Sequence, residues 1–182
     1  KALSEYAQAL IQEIRIRSKD WCFRDVDTVY IGGGTPSLLA AWDMGKIMDA
    51  LYDNFNISKE AEITIEGNPA TLSDEKMERY LRKGVNRLSL GVQSFENDVL
   101  RYLGRIHDKN DAFTSFQRAK RAGFSNINMD LILGLPGEKE EDVARTIEAV
   151  EALMPDSLTV HSLAIKRASK LNRWIEENGI TA

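Results

Sequence analysis

Cysteine is nearly absent from this sequence: Cys22 stands alone among 182 residues. A single cysteine excludes an internal disulfide framework, and it equally excludes a cysteine-only metal or iron–sulfur site built from this chain by itself. Long apolar runs are missing too. Nothing approaches the ~20 residues that a membrane span requires, and the start KALSEYAQALIQEIRIR has no uninterrupted apolar stretch of the signal-peptide kind. No Lys/Arg run is long enough to track a phosphate backbone, and the formal net charge is −4, so nucleic acid is not an expected partner. These absences leave a cytoplasmic protein as the expectation.

What remains suffices for a substantial core: 43% of the residues are hydrophobic, and the length suits one domain or slightly more. Helix-like and strand-like segments alternate with no low-complexity linker. Leu3, Tyr6, Ala7, Leu10, Ile11 and Ile14 recur at helical spacing, which predicts an amphipathic helix from Leu3 to Arg17. Helices are likewise expected over 42–55, 73–83, 97–103, 111–122, 138–153 and 168–178. Ser73 is placed to cap one of them, with Gly84, Gly123 and Gly179 at C-terminal ends. Strands are expected over 25–31, 61–66, 86–92, 127–133 and 157–163. Five strands alternating with helices predict an α/β fold with a parallel sheet, whose right-handed crossovers collect the strand C-termini on one edge.

The strand ends are polar. The first runs into Gly32-Gly33-Gly34-Thr35-Pro36-Ser37, the second ends at Glu66, the third is followed by Gln93, the fourth holds Asp130, and the fifth carries His161 and Ser162. Taken singly, each has a local structural role as its commoner explanation: Glu66 or Asp130 as a helix cap, Gln93 as a turn tie, His161 as a satisfied core histidine. Their convergence on one edge favours a shared site rich in acceptors, suited to hydroxyls and a cationic amine. The glycine stretch is no phosphate loop, since no Lys-Ser or Lys-Thr follows at the required spacing, and it lacks the third glycine of the dinucleotide fingerprint. If its backbone offers carbonyls it suits an ammonium group, with Thr35-Pro36 opening a helix. Arg105 adds a guanidinium able to pair with a carboxylate, the alternative being a surface arginine at a helix end. An amino acid bearing a ribose meets all these groups, a description that fits S-adenosylmethionine.

VYIGGGTPSLL, EITIEGNPATL, GVNRLSLGVQSF, LGRIH and INMDLILGLPGE occur in that order over almost the whole chain. Together they resemble the radical S-adenosylmethionine proteins of the oxygen-independent coproporphyrinogen III oxidase (coproporphyrinogen dehydrogenase) group. LTVHSLAIKRASKL resembles the dehydrogenase branch of Gram-positive bacteria, whereas GNPATL and GVQSF are closer to the related haem chaperones. The resemblance implies a partial (βα) barrel with outer helices. It also implies S-adenosylmethionine contacts at Gly33, Gly34, Thr35, Glu66, Gln93, Arg105 and Asp130, and at Ala164 through backbone.

The family's C-x3-C-x2-C motif, which holds a [4Fe–4S] cluster, has no counterpart in this sequence. The chain is therefore expected to be an internal fragment, residues 1–182 of a radical S-adenosylmethionine core domain, lacking the first βα unit and inactive by itself. For the complete protein the resemblance implies reductive cleavage of S-adenosylmethionine to a 5'-deoxyadenosyl radical that abstracts hydrogen from propionates of coproporphyrinogen III, with decarboxylation to vinyls. An electron donor is implied as partner, and a porphyrinogen or haem as the small molecule. Three outcomes are carried forward: the enzyme, a haem chaperone on the same scaffold, and a catalytically silent structural fragment. Lys166, Arg167 and Lys170 are weak candidates for propionate contacts, because a basic helix start is more often solvated surface.

Overall fold

The computed structural model describes residues 2–21, 24–135 and 138–163. Cys22, Ala164, Lys166, Arg167, Lys170 and the helix expected over 168–178 lie outside the described residues. Five strands form one sheet: β1 (Asp25–Ile31), β2 (Asn56–Gly67), β3 (Arg87–Gln93), β4 (Asn126–Leu133) and β5 (Ser157–Ser162). They lie in sequence order and every neighbouring pair is parallel. Such an order never reverses across the sheet, which distinguishes a barrel-type winding from a doubly wound sheet with a switch point.

Helices α1 (Ala2–Arg17), α2 (Ala41–Asn54), α3 (Asp74–Arg82), α4 (Asn97–Tyr102), α5 (Lys109–Ala122) and α6 (Glu140–Leu153) connect or precede the strands. Local chemistry sets several boundaries. Ser73 Oγ accepts the Lys76 N–H at 3.3 Å and starts α3. Asp108 accepts the Asn110 and Asp111 amides while Asp111 accepts the Asp108 N–H, a capping box at the head of α5. Gly123, at φ +110°, closes that helix in the left-handed region.

Three expectations need correction. β2 begins at Asn56 rather than Ala61, because Asn56 and Ile57 pair with Asp25 and Val26 before an irregularity. Thr35-Pro36 opens only a 3-10 turn over Pro36–Leu38, and α2 starts at Ala41. Glu138 precedes α6 instead of lying in its first turn, since its carboxylate accepts the Gly134 and Leu135 amides at 2.8 and 3.2 Å.

The period of two along each strand separates the sheet's faces. Ile63, Ile65, Leu88, Leu90, Val92, Ile127, Met129 and Leu131 are buried on the outer face with Met44, Ile47, Met48, Met77, Tyr80 and Phe116 of the helices. The alternate positions Thr64, Glu66, Ser89, Gly91, Asn128, Asp130, Thr159 and His161 form a polar inner face. The apolar face therefore holds the fold together, and the polar face is left for chemistry. No helix among the described residues is long and apolar enough to cross a membrane.

Candidate functional site

A cavity of about 240 Å³ opens at the C-terminal ends of the strands, lined by Gly34, Thr35, Glu66, Gln93, Arg105 and Asp130 together with Ser89, Gly91 and His161. Six of the eight residues singled out from sequence thus meet around one space. Gly33 stands just behind it, its N–H donating to Glu66 Oε2 at 3.0 Å. That amide is committed within the protein, so the glycine stretch orients a carboxylate here as well as presenting open backbone. Ala164 lies outside the described residues.

The glycines have distinct uses. Gly33 and Gly34 have φ of +83° and +62°, a region that side chains rarely adopt. A Cβ on Gly32 would lie 2.5 Å from Tyr30 Cε1 and 2.8 Å from Glu66 Oε1, so any side chain here would push the Tyr30–Glu66 pair aside. Ser37 fastens the loop's far end: its Oγ accepts the Asn68 N–H at 2.9 Å and bonds Thr71 Oγ1 at 2.5 Å. Lys76 Nζ donates to the carbonyls of Ser37 and Thr71 at 2.5 and 2.9 Å, and burial lowers its pKa.

Neither carboxylate caps a helix. Glu66 accepts the Tyr30 hydroxyl on Oε1 at 2.8 Å as well as the Gly33 amide. The Tyr30 phenol is pushed up to about 12, first by burial and then by its bond to Glu66. Asp130 accepts Ser89 Oγ–H on Oδ2 at 2.9 Å and Asn128 Nδ2–H on Oδ1 at 2.7 Å. Arg105 is half-buried rather than a surface arginine. Its Nη2 donates to Gly91 O at 3.0 Å, its Nε has no partner among the described residues, and burial lowers its pKa. A desolvated guanidinium with an unmet donor suits a bidentate carboxylate.

Sequence reasoning missed the groups that hold these side chains: Tyr30, Ser89, Asn128 and His107. The signal was present as Ser-x-Gly, Asn-x-Asp and Thr-x-Glu alternation on successive strands, which puts Ser89, Asn128 and Thr64 on the same face as the nominated residues. Among the described residues no group of three or more His, Cys, Asp or Glu side chains is arranged to hold a metal ion.

Comparison with known proteins agrees with this geometry. The chain is 39% identical over 165 residues to the haem chaperone HemW of Bacillus subtilis, covering 90% of this chain and 44% of that protein. It is 38% identical over 160 residues to the oxygen-independent coproporphyrinogen III oxidase of Salmonella typhimurium, covering 88% and 35% respectively. The solved structure of coproporphyrinogen III oxidase (HemN) from Escherichia coli, described as a radical SAM enzyme, superposes with a TM-score of 0.86 at 33% identity. That match covers 99% of this chain and 41% of the other. The chain thus spans less than half the length of these relatives. The family profile described as "Radical SAM superfamily" matches residues 5–150, and the chain belongs to that superfamily.

Proposed function

We propose that the complete protein binds S-adenosylmethionine in the cavity at the strand ends and catalyses oxidative decarboxylation of coproporphyrinogen III propionates to vinyl groups. The carrying observation is the set of groups around one cavity: two oriented carboxylates, Glu66 and Asp130, and a half-buried guanidinium, Arg105. Arg105 takes the methionyl carboxylate, while Glu66, Asp130 and Gln93 accept from the ammonium and ribose hydroxyls. Gly34 and Thr35 present backbone beside the amino-acid end, with Gly33 holding Glu66. S-adenosylmethionine bound there would supply one-electron chemistry together with a [4Fe–4S] cluster, whose ligands this sequence, having one cysteine, does not contain, and with an electron donor as partner. The residues of this chain orient the cofactor and keep water from the reacting end.

Anaerobic incubation of reconstituted full-length protein with coproporphyrinogen III, a reductant and S-adenosylmethionine tests this reading. Protoporphyrinogen is the expected product, and its absence from cofactor-loaded protein rejects the dehydrogenase assignment. The 39% identity to the HemW protein favours a second reading, a haem chaperone using the same cavity. Stoichiometric haem binding, followed by absorbance without turnover of coproporphyrinogen III, is the outcome that reading requires.

A further inference from the structure

β3 leaves its regular ladder where the cavity begins. Its pairing with β4 runs Ser89 with Asn128 and Leu90 with Met129, then resumes at Gln93 with Leu131. Gly91 and Val92 together therefore oppose Asp130. Such a bulge disrupts the ladder and leaves backbone groups in need of other partners. One short segment supplies them. Arg105 Nη2 donates to Gly91 O at 3.0 Å, and His107 Nε2 lies 3.0 Å from Val92 O.

The Val92 carbonyl also accepts the Ser94 N–H at 3.0 Å, closing a three-residue turn around Gln93, whose φ is +71°. A γ-turn of this hand is rare and strained, and it persists only where its surroundings enforce it. Gln93 is in register with Leu131, which is buried on the outer face, yet it lines the cavity on the inner one. The turn redirects it.

His107 is 3% exposed. Because a carbonyl only accepts, Nε2 carries the proton and Nδ1 is the bare nitrogen. Nδ1 has no hydrogen-bond partner among the described residues, and the charged groups acting on the ring are Arg105 together with Asp108 and Asp111 at the head of α5.

We propose that His107 is a positioning residue of the cavity: by donating Nε2–H to Val92 O it locks the strained turn that aims Gln93 at the ligand, next to the bond that holds Arg105. Both lone pairs of Val92 O are then used, one by the turn itself and one by the imidazole. The identity of the ligand rests on the S-adenosylmethionine reading above; the device itself does not.

Two substitutions in the full-length holoprotein separate positioning from packing. His107→Leu removes the donor, whereas His107→Gln keeps an N–H. Calorimetric titration with S-adenosylmethionine should show about tenfold or greater weakening for His107→Leu and near-normal affinity for His107→Gln, as expected for one lost buried hydrogen bond. Without ligand, the side-chain amide resonances of Gln93 in selectively labelled protein should shift in His107→Leu and return in His107→Gln. The ring nitrogens of wild-type His107 should report a neutral Nε2–H tautomer. Unchanged affinity and unchanged Gln93 resonances in folded His107→Leu would overturn the proposal. If that variant does not fold, a proton on Nδ1 in the wild-type spectrum overturns it instead. Failure of wild-type protein to bind S-adenosylmethionine rejects the cofactor reading, while the resonance measurements still decide the role of His107.

Discussion

Asn128 donates from Nδ2 to Asp130 Oδ1 at 2.7 Å, two residues along the same strand. Its own Oδ1 accepts Ser157 Oγ–H and Thr159 Oγ1–H at 2.9 and 3.1 Å, so the amide is held in one orientation by the neighbouring strand. Asn128→Leu strands these half-buried donors and frees one side of the Asp130 carboxylate. We expect a loss of roughly 1–3 kcal/mol in urea denaturation of the full-length protein. No change in stability would mean that water replaces the amide.

Asp130→Ala removes an acceptor from the cavity while leaving Ser89 and Asn128 able to bond each other, since Asn128 Nδ2 already lies 3.1 Å from Ser89 Oγ. Affinity for S-adenosylmethionine, measured calorimetrically on full-length holoprotein, should fall about tenfold or more, as expected for a hydrogen bond to a charged group. Unaltered affinity would remove Asp130 from the site.

Gly91→Ala is the gentlest way to disturb Arg105. The added Cβ would lie 3.0 Å from Gln93 Nε2 and 3.2 Å from Arg105 Nη2, both ends of side chains able to yield. Stability should change by less than about 1 kcal/mol. Cofactor affinity should nevertheless drop, because both displaced groups line the cavity. Equal losses of stability and affinity would indicate backbone damage instead.

Tyr30 gives a spectroscopic handle on Glu66. Its phenol is raised from the ordinary tyrosine value of 10.0 to about 12. A raised value means that this group's contribution to stability is present below pH 10 and is lost as pH climbs toward about 12. Tyr30→Phe should delete one late-titrating phenol from the tyrosinate absorbance curve. Glu66→Gln should move the Tyr30 titration earlier, since the bond to the carboxylate is the second cause of the shift; an unmoved titration would assign the whole effect to burial.

His107 sets an acid limit. Burial lowers its pKa from 6.5, with the neighbouring Arg105 adding to the shift, so the unfolded chain takes up this proton more readily than the native one. The contribution to stability is therefore full above pH 6.5 and declines as pH falls below it. Melting temperature measured from neutral to acid pH should fall more steeply for wild type than for His107→Gln. Parallel profiles would show that another group governs the acid limb.

The strands were legible because their outer faces are apolar at a period of two and a glycine or an amide follows or ends each of the first four. The β1 boundaries, Asp25 and Ile31, follow directly from DVDTVYI. The start of β2 was not legible, since Asn56 through Glu60 carry no apolar alternation and enter the sheet only through pairing with β1. Glu66, Gln93 and Asp130 were recoverable from chemistry on the strands, because a polar side chain there needs a partner or a ligand, and Arg105 from the fit of a guanidinium to a carboxylate. Ser89 and Asn128 were signalled only by their alternation with Gly91 and Asp130, and Tyr30 and His107 not at all, for each resembles an ordinary strand or turn residue until its neighbour is known.

By itself the sequence determined the order of βα units, the caps at Ser73 and Gly123, and the residue types available for a cofactor. Those are local properties, settled by propensity and by hydrogen bonds spanning a few residues. Only the tertiary structure decided which polar groups meet. Gly33 reaches Glu66 across 33 positions, and Ser89 reaches Asp130 across 41, through the register of parallel strands. That register follows from burying one whole face of the sheet at once. The strained turn at Gln93 has the same origin, since a backbone conformation costly in isolation survives only where His107 and Arg105 arrive from further along the chain to hold it.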